Sequence, residues 1–215
     1  MGRLEDEITC LFNRVSEMSR LAAWMTEDSV KALIEGDTGL AQEVIDAFDR
    51  VDRYDREIEE AAVRILTLFQ PAASDLRTAV TVLKCITYLD RIAKYCKNLA
   101  IATEYLSDKP RYPVFDLLAP MGDMAAGMVR MVSHAIEARS TEGFDRIVEM
   151  DDYLDEHHDT GRERIVEYIR SDPDSADVCM QYFTIMRYLE RVGDHSCKVA
   201  EKVTFMVSGE RTRIF

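Results

Sequence analysis

Asp152, Asp155 and Asp159 are spaced by three, four and seven residues, and Glu190 and Asp194 by four. On α-helices these spacings place each set of carboxylates on one face. Between the sets stands a turn signal, Asp172-Pro173: Asp155 lies seventeen residues before it and Glu190 seventeen after, while Asp152 and Asp194 lie twenty and twenty-one away. In an antiparallel helix pair these acids sit level. Facing carboxylates repel, and like charges at i, i+4 already cost a few tenths of a kcal/mol each. Two arrangements answer that repulsion. A cation can bind between the helices, or Arg187 and Arg191 can pair with Glu190 and Asp194 three residues on. Ligands that are oxygen only suit Mg²⁺, Mn²⁺, Ca²⁺ or iron, and levels about one helical turn apart leave room for more than one ion. His157, His158 and His195 adjoin these acids, but a lone helical histidine is more often a surface or supporting residue than a ligand, and none is counted among the ligands. Gly193, within the second acid pair, reads as a place where a neighbouring helix comes close.

The second pair lies in YLERVGDHSCKVAE, 188–201, and one hundred residues earlier stands YLDRIAKYCKNLAI, 88–101. Without a gap, Tyr88/Tyr188, Leu89/Leu189, Arg91/Arg191 and Ala100/Ala200 are identical and Asp90/Glu190 are both acids. The same offset matches Asp52/Asp152, Asp55/Asp155, Glu59/Asp159, Arg64/Arg164 and Ile65/Ile165. One unit of about a hundred residues is therefore used twice. The first copy keeps Asp52, Asp55, Glu59 and Asp90 but carries Lys94 in the place of Asp194. An ammonium there stands in for a cation, so the second copy is expected to bind metal better.

The elements that must position these acids are helices. Ala, Leu, Glu, Arg and Met are abundant, Gly and Pro are few, and aromatics make up 8%, a composition that suits packed helices. Leu4, Ile8, Leu11, Val15, Met18, Ala22 and Met25 draw one stripe down a first helix reaching Glu35. Thr38 is expected to cap a second helix that ends at Gln70 before Pro71, and Ser74 a third that ends near Leu106. The prolines of 107–113 mark a linker. A fourth helix is expected over 115–140 with a core-filling stripe of Met121, Met124, Met128 and Met131, a fifth over 141–170 and a sixth ending at Val207. The expected fold is all-α: two tandem three-helix bundles, residues 1–107 and 108–215, each long and slender at about 45 Å.

A net charge of −13 with no run of Lys or Arg argues against nucleic acid as a partner. No segment approaches eighteen apolar residues, so no membrane span is expected. Five cysteines without a CxxC pattern suggest buried thiols in a reducing cytoplasm, and no signal peptide is read at the start.

With QPAASDLR (70–77) joining helices two and three, YLDRIA, and YLERVGDHSCKVAE, the chain resembles the PhoU family over essentially its whole length. The resemblance implies paired three-helix bundles, no catalytic activity, and regulation of phosphate uptake and phosphate signalling in the cytoplasm. It implies metal at acidic motifs, with Mg, Mn, Fe or Zn in mononuclear or multinuclear sites. Glu190 and Asp194 match the motif; on the neighbouring helix Asp152 and Asp155 are favoured by level, with Asp151 and Asp159 as alternatives. Asp90 alone matches in the first copy. The implied partners are the ATPase of a phosphate-specific ABC transporter and a phosphate-sensing histidine kinase, with a homodimer as a further assembly. Two alternatives stand beside this reading. One is an accessory protein of a secondary phosphate carrier. The other is a carboxylate-bridged metalloenzyme, which the lack of any Glu-x-x-His disfavours.

Overall fold

A computed structural model describes residues 2–211 and 213. Six helices carry the fold: α1 Arg3–Glu35, α2 Thr38–Phe69, α3 Ala73–Leu106, α4 Leu118–Ala138, α5 Asp145–Ser171 and α6 Ala176–Ser208. Short 3₁₀ turns, Pro113–Leu117 and Pro173–Ser175, lead into α4 and α6. The apolar stripe of α1 faces inward, with Leu11, Val15, Met18, Ala22 and Met25 almost wholly buried. The methionine stripe of α4 faces the core: Met121 and Met128 are fully buried, and Met124 and Met131, partly buried, pack against the core.

The helix ends differ from expectation where backbone conformation outweighs side-chain capping. Gly36 takes the left-handed conformation at φ 70° and closes α1, which leaves Asp37, not Thr38, to cap α2 by accepting from the Leu40 amide at 3.0 Å. The residue before α3 is Ala72, so Ser74 lies inside the helix and does not cap it. Phe115 lies in the 3₁₀ turn. Left-handed Arg139 ends α4 at Ala138, and Gly143 at φ 86° delays α5 to Asp145.

Helices α1, α2 and α3 pack on one another, as do α4, α5 and α6, and the two bundles then join side by side through α1 on α4 and α3 on α6. One continuous apolar core runs through both, so the long bundle faces that meet are buried. The α3–α6 seam explains the identities between the copies. Leu89, Leu189, Ile92, Val192, Ala100 and Ala200 are all buried, and each leucine removed from water contributes about 1.5–3 kcal/mol. The seam is also reciprocal: Tyr88 meets His195 at 6.0 Å between ring centroids, and Tyr95 meets Tyr188 at 5.7 Å. Since Tyr88 corresponds to Tyr188 and Tyr95 to His195, the copies are related by a local two-fold, the pattern of an isologous interface within one chain. Among the described residues no helix is long and apolar enough to cross a membrane.

Candidate functional site

The acids of the second bundle sit where α5 packs on α6, and Gly193 sets how closely. A Cβ at 193 would lie 2.6 Å from Leu154 Cδ1 and 3.1 Å from Asp151 Oδ1. The glycine therefore lets α5 approach and brings Asp151 under α6.

Asp151 is 3% exposed. Burial pushes its carboxyl up to about 7, and the charges of Asp155, Asp194 and Asp152 push the same way. The neighbouring Cys197 thiol opposes this. Asp155 is raised as well, by burial and then by Asp194, Asp152 and Asp159. Asp194 accepts from Arg191 at 2.6 Å, and the other arm of the same guanidinium lies 3.8 Å from Glu190. Glu190 also faces His158, whose Nε2 is 3.7 Å from Oε2 while Nδ1 lies 3.6 Å from Asp159. That Nε2 is buried without a hydrogen-bond partner among the described residues.

The sequence-level candidates thus divide. Asp151, Asp152, Asp155 and Asp194 interact electrostatically, and Glu190 and Asp159 meet at His158. Asp152 and Asp155, both favoured by level, are exposed, and Asp151, which adjoins Asp152, takes the inward position. Arg191 supplies the internal counter-charge, and Arg187 is exposed and absent from these ion pairs. Among the described residues no three His, Cys, Asp or Glu side chains stand close enough together to hold an ion as they are. The donor set nevertheless suits a cation: a buried carboxyl raised by its neighbours and a buried imidazole nitrogen without a partner are both groups that a positive charge would satisfy.

The first bundle has the outline of this arrangement without its interior. Burial raises Asp55 and Asp90; Asp90, Glu59 and Asp52 add to the first, and Asp52 to the second, while Lys94 and Arg91 lower Asp90. The inward positions that correspond to Asp151 and His158 are Val51 and Ile58, both fully buried. That pairing is readable from the repeat and was the signal for Asp151 and His158, because a polar residue replaces an apolar one at a core position.

The remaining histidines serve elsewhere. His157 Nδ1 lies 2.8 Å from the Tyr153 carbonyl. His195 stacks on Tyr88 and Tyr95 in the α3–α6 seam, where burial first, then Arg91, holds its ionisation below the usual range.

The family model described as "PhoU domain" matches residues 15–103 and again 118–203. Over 98% of its length the chain is 33% identical to a phosphate-specific transport system accessory protein PhoU homolog 1 of Thermotoga maritima, covering 91% of that protein. It is 32% identical over 91% of its length to a PhoU homolog of the same description from Pseudomonas putida, covering 77% of it. The crystal structure of PhoU from Pseudomonas aeruginosa superposes with a TM-score of 0.92 at 29% identity, over 97% of this chain and 100% of that one. The phosphate transport system regulatory protein PhoU from Streptococcus pneumoniae, at 20% identity and a TM-score of 0.86, shares the fold. Aligning the two domain matches at their starts pairs Ser19 with Gly122 and Val30 with Ser133. The α1–α4 contacts are Ser19 to Ser133, hydroxyl to hydroxyl at 3.0 Å, and Val30 to Gly122. The local two-fold therefore holds at this seam too.

Proposed function

The chain belongs to the PhoU family, and on that footing we propose that it is a non-catalytic cytoplasmic regulator of phosphate uptake whose second bundle binds a divalent cation. The relatives' description as accessory proteins of a phosphate-specific transport system supports the role. The ATPase of such a transporter, or a phosphate-sensing kinase, is the partner this role calls for.

The observation that carries the metal reading is Asp151, a carboxyl buried among Asp155, Asp194 and Asp152 at a position the first bundle fills with Val51. A scaffold requirement would have kept the valine. Asp151, Asp155 and Asp194 would hold the ion, with Glu190, Asp159 and His158 at its edge and Asp152 outside. Arg191 would give up Asp194 as the ion enters. Oxygen donors favour Mg²⁺, Mn²⁺ or iron, and a participating imidazole admits Zn²⁺. The bound charge would lower the carboxyls and fix α5 against α6, which gives the regulator a metal-dependent surface.

The test is metal content after equilibration and gel filtration, read beside phosphate uptake. E190A/D194A is expected to lose bound metal and its metal-induced thermal stabilisation, whereas D90A keeps both. Loss of the protein is expected to deregulate uptake in cells. Equal metal retention by wild type and the double variant would remove the metal reading, and unchanged uptake across phosphate levels would remove the regulatory one.

A further inference from the structure

In a chain of net charge −13, one end of the α3–α6 seam is strongly basic. A groove of about 480 Å³ is lined there by Lys84, Lys198, Lys202, Arg211 and Arg213, with Glu201 as the one acid among the described lining residues and Val80 and Phe205 as an apolar wall. Lys198 and Lys202 both reach Glu201, at 2.9 and 3.4 Å. Lys84 and the two arginines are exposed at the rim.

The local two-fold provides an internal control. At the opposite end of the seam the positions of Lys84, Lys198 and Lys202 hold Thr184, Asn98 and Ala102. Arg77 is answered by Asp177, which accepts a hydrogen bond from Tyr105, the counterpart of Phe205. Arg211 keeps an arginine counterpart in Arg111, but packing α3 on α6 does not require lysine at the other three positions.

Thr81 adds an independent observation. It lines the groove, is 3% exposed, and its hydroxyl has no hydrogen-bond partner among the described residues. Other threonines of the same helix, Thr78, Thr87 and Thr103, each donate to the carbonyl four residues back. A buried hydroxyl without a partner is costly, and so is the neighbouring buried Arg77 Nε, which also lacks one.

We propose that this groove binds a soluble small molecule carrying two or more linked phosphates. Lysine ammoniums and arginine forks together suit phosphate oxygens, the unpartnered Thr81 hydroxyl supplies a further donor, and Val80 and Phe205 cover an organic portion. The volume lies in the range of small-molecule pockets. The site is distinct from the acids of the second bundle and does not depend on the metal reading.

The test uses the full chain in chelator at low salt, so that metal at the acids plays no part. Adenosine triphosphate and inorganic pyrophosphate are titrated by calorimetry, and flotation with phosphatidylglycerol vesicles tests a lipid headgroup as the source of phosphate. Saturable binding of either soluble probe is expected, falling about ten-fold or more in K84A/R211A, since a hydrogen bond to a charged group is worth that much. Thr81→Val should weaken binding too, and E190A/D194A should leave it unchanged. Both rim residues are exposed, and Lys84→Glu alone is a second variant should the pair affect folding. No saturable binding at millimolar probe, equal affinity in wild type and rim variants, or binding to vesicles alone would overturn the proposal.

Discussion

Tyr95 and His195 lie face to face, 5.8 Å between ring centroids and 18° from parallel, and they occupy the same position in the two halves of the chain. A residue on a two-fold meets its own counterpart, so this stack marks where the local axis passes. The flanking contacts, Tyr88 to His195 and Tyr95 to Tyr188, are its reciprocal images. Symmetry would place tyrosine on both sides. The second copy instead puts an imidazole beside Arg91, Arg191 and Asp194.

That exchange predicts a pH dependence. Burial and Arg91 hold the His195 ionisation below its ordinary 6.5, so in acid the unfolded chain takes up a proton that the folded chain resists. The stabilisation is present above the ordinary value and is lost as pH falls from there through the lowered, folded-state value. His195→Tyr restores the symmetric pair and should remove that part of the acid loss, with stability at about pH 8 unchanged within about 1 kcal/mol. Thermal melts of both proteins between about pH 5 and 8 measure the difference.

Asp151 carries the opposite sign. Its carboxyl is pushed from 3.8 up to about 7, so the folded, metal-free protein holds a proton that the unfolded chain releases. The contribution is full below the ordinary value and is lost as pH rises through about 7. Asp151→Asn should therefore raise the melting temperature of chelated protein at about pH 8 and flatten this alkaline loss. Added Mn²⁺ should stabilise wild type there and the variant much less. Scanning calorimetry with and without metal reads both effects.

Much of this was legible in the sequence because it is periodic. The stripe of α1, the methionine face of α4 and the matched segments at 88–101 and 188–201 gave six helices in two copies, since apolar spacing reports burial directly. Helix ends were less legible. Left-handed Gly36, Arg139 and Gly143 decide where chains turn, and a cap such as Thr38 is only one competitor. At the site, the level argument found the α5–α6 pairing and favoured Asp152, which is exposed, with Asp151, which is buried, as an alternative. A one-residue rotation about the helix axis separates an exposed acid from a buried one, and acids alone do not fix it. The comparison with Val51 and Ile58 does, because an apolar residue in the partner copy marks the inward face.

Gly193→Ala separates packing from ligand positioning. The added methyl would meet Leu154 Cδ1 at 2.6 Å and Asp151 Oδ1 at 3.1 Å. The first contact is with the terminal methyl of fully buried Leu154, whose displacement costs about 1–3 kcal/mol, and the roughly 1 kcal/mol of helix propensity that alanine gains over glycine offsets part of that. Asp151 is the contact that matters, since its carboxylate must shift from beneath α6. Stability should fall by no more than about 2 kcal/mol, with the protein still folded, while metal retention is lost, as judged by denaturant melts beside elemental analysis.

Exchanging the residues that distinguish the copies tests whether one charge makes the site. Asp194→Lys places an ammonium beside Asp151 and Asp155, as Lys94 stands beside Asp90, and should abolish metal retention while lowering the Asp151 ionisation. The reverse change, Lys94→Asp, should not create a second site. It adds a carboxylate next to Asp90 and Asp55, both already raised, but the inward positions remain Val51 and Ile58, fully buried and apolar. The expected metal-to-protein ratio is therefore nil for Asp194→Lys and unchanged from wild type for Lys94→Asp. A gain of metal in Lys94→Asp would show that the surface acids suffice and that Asp151 is dispensable.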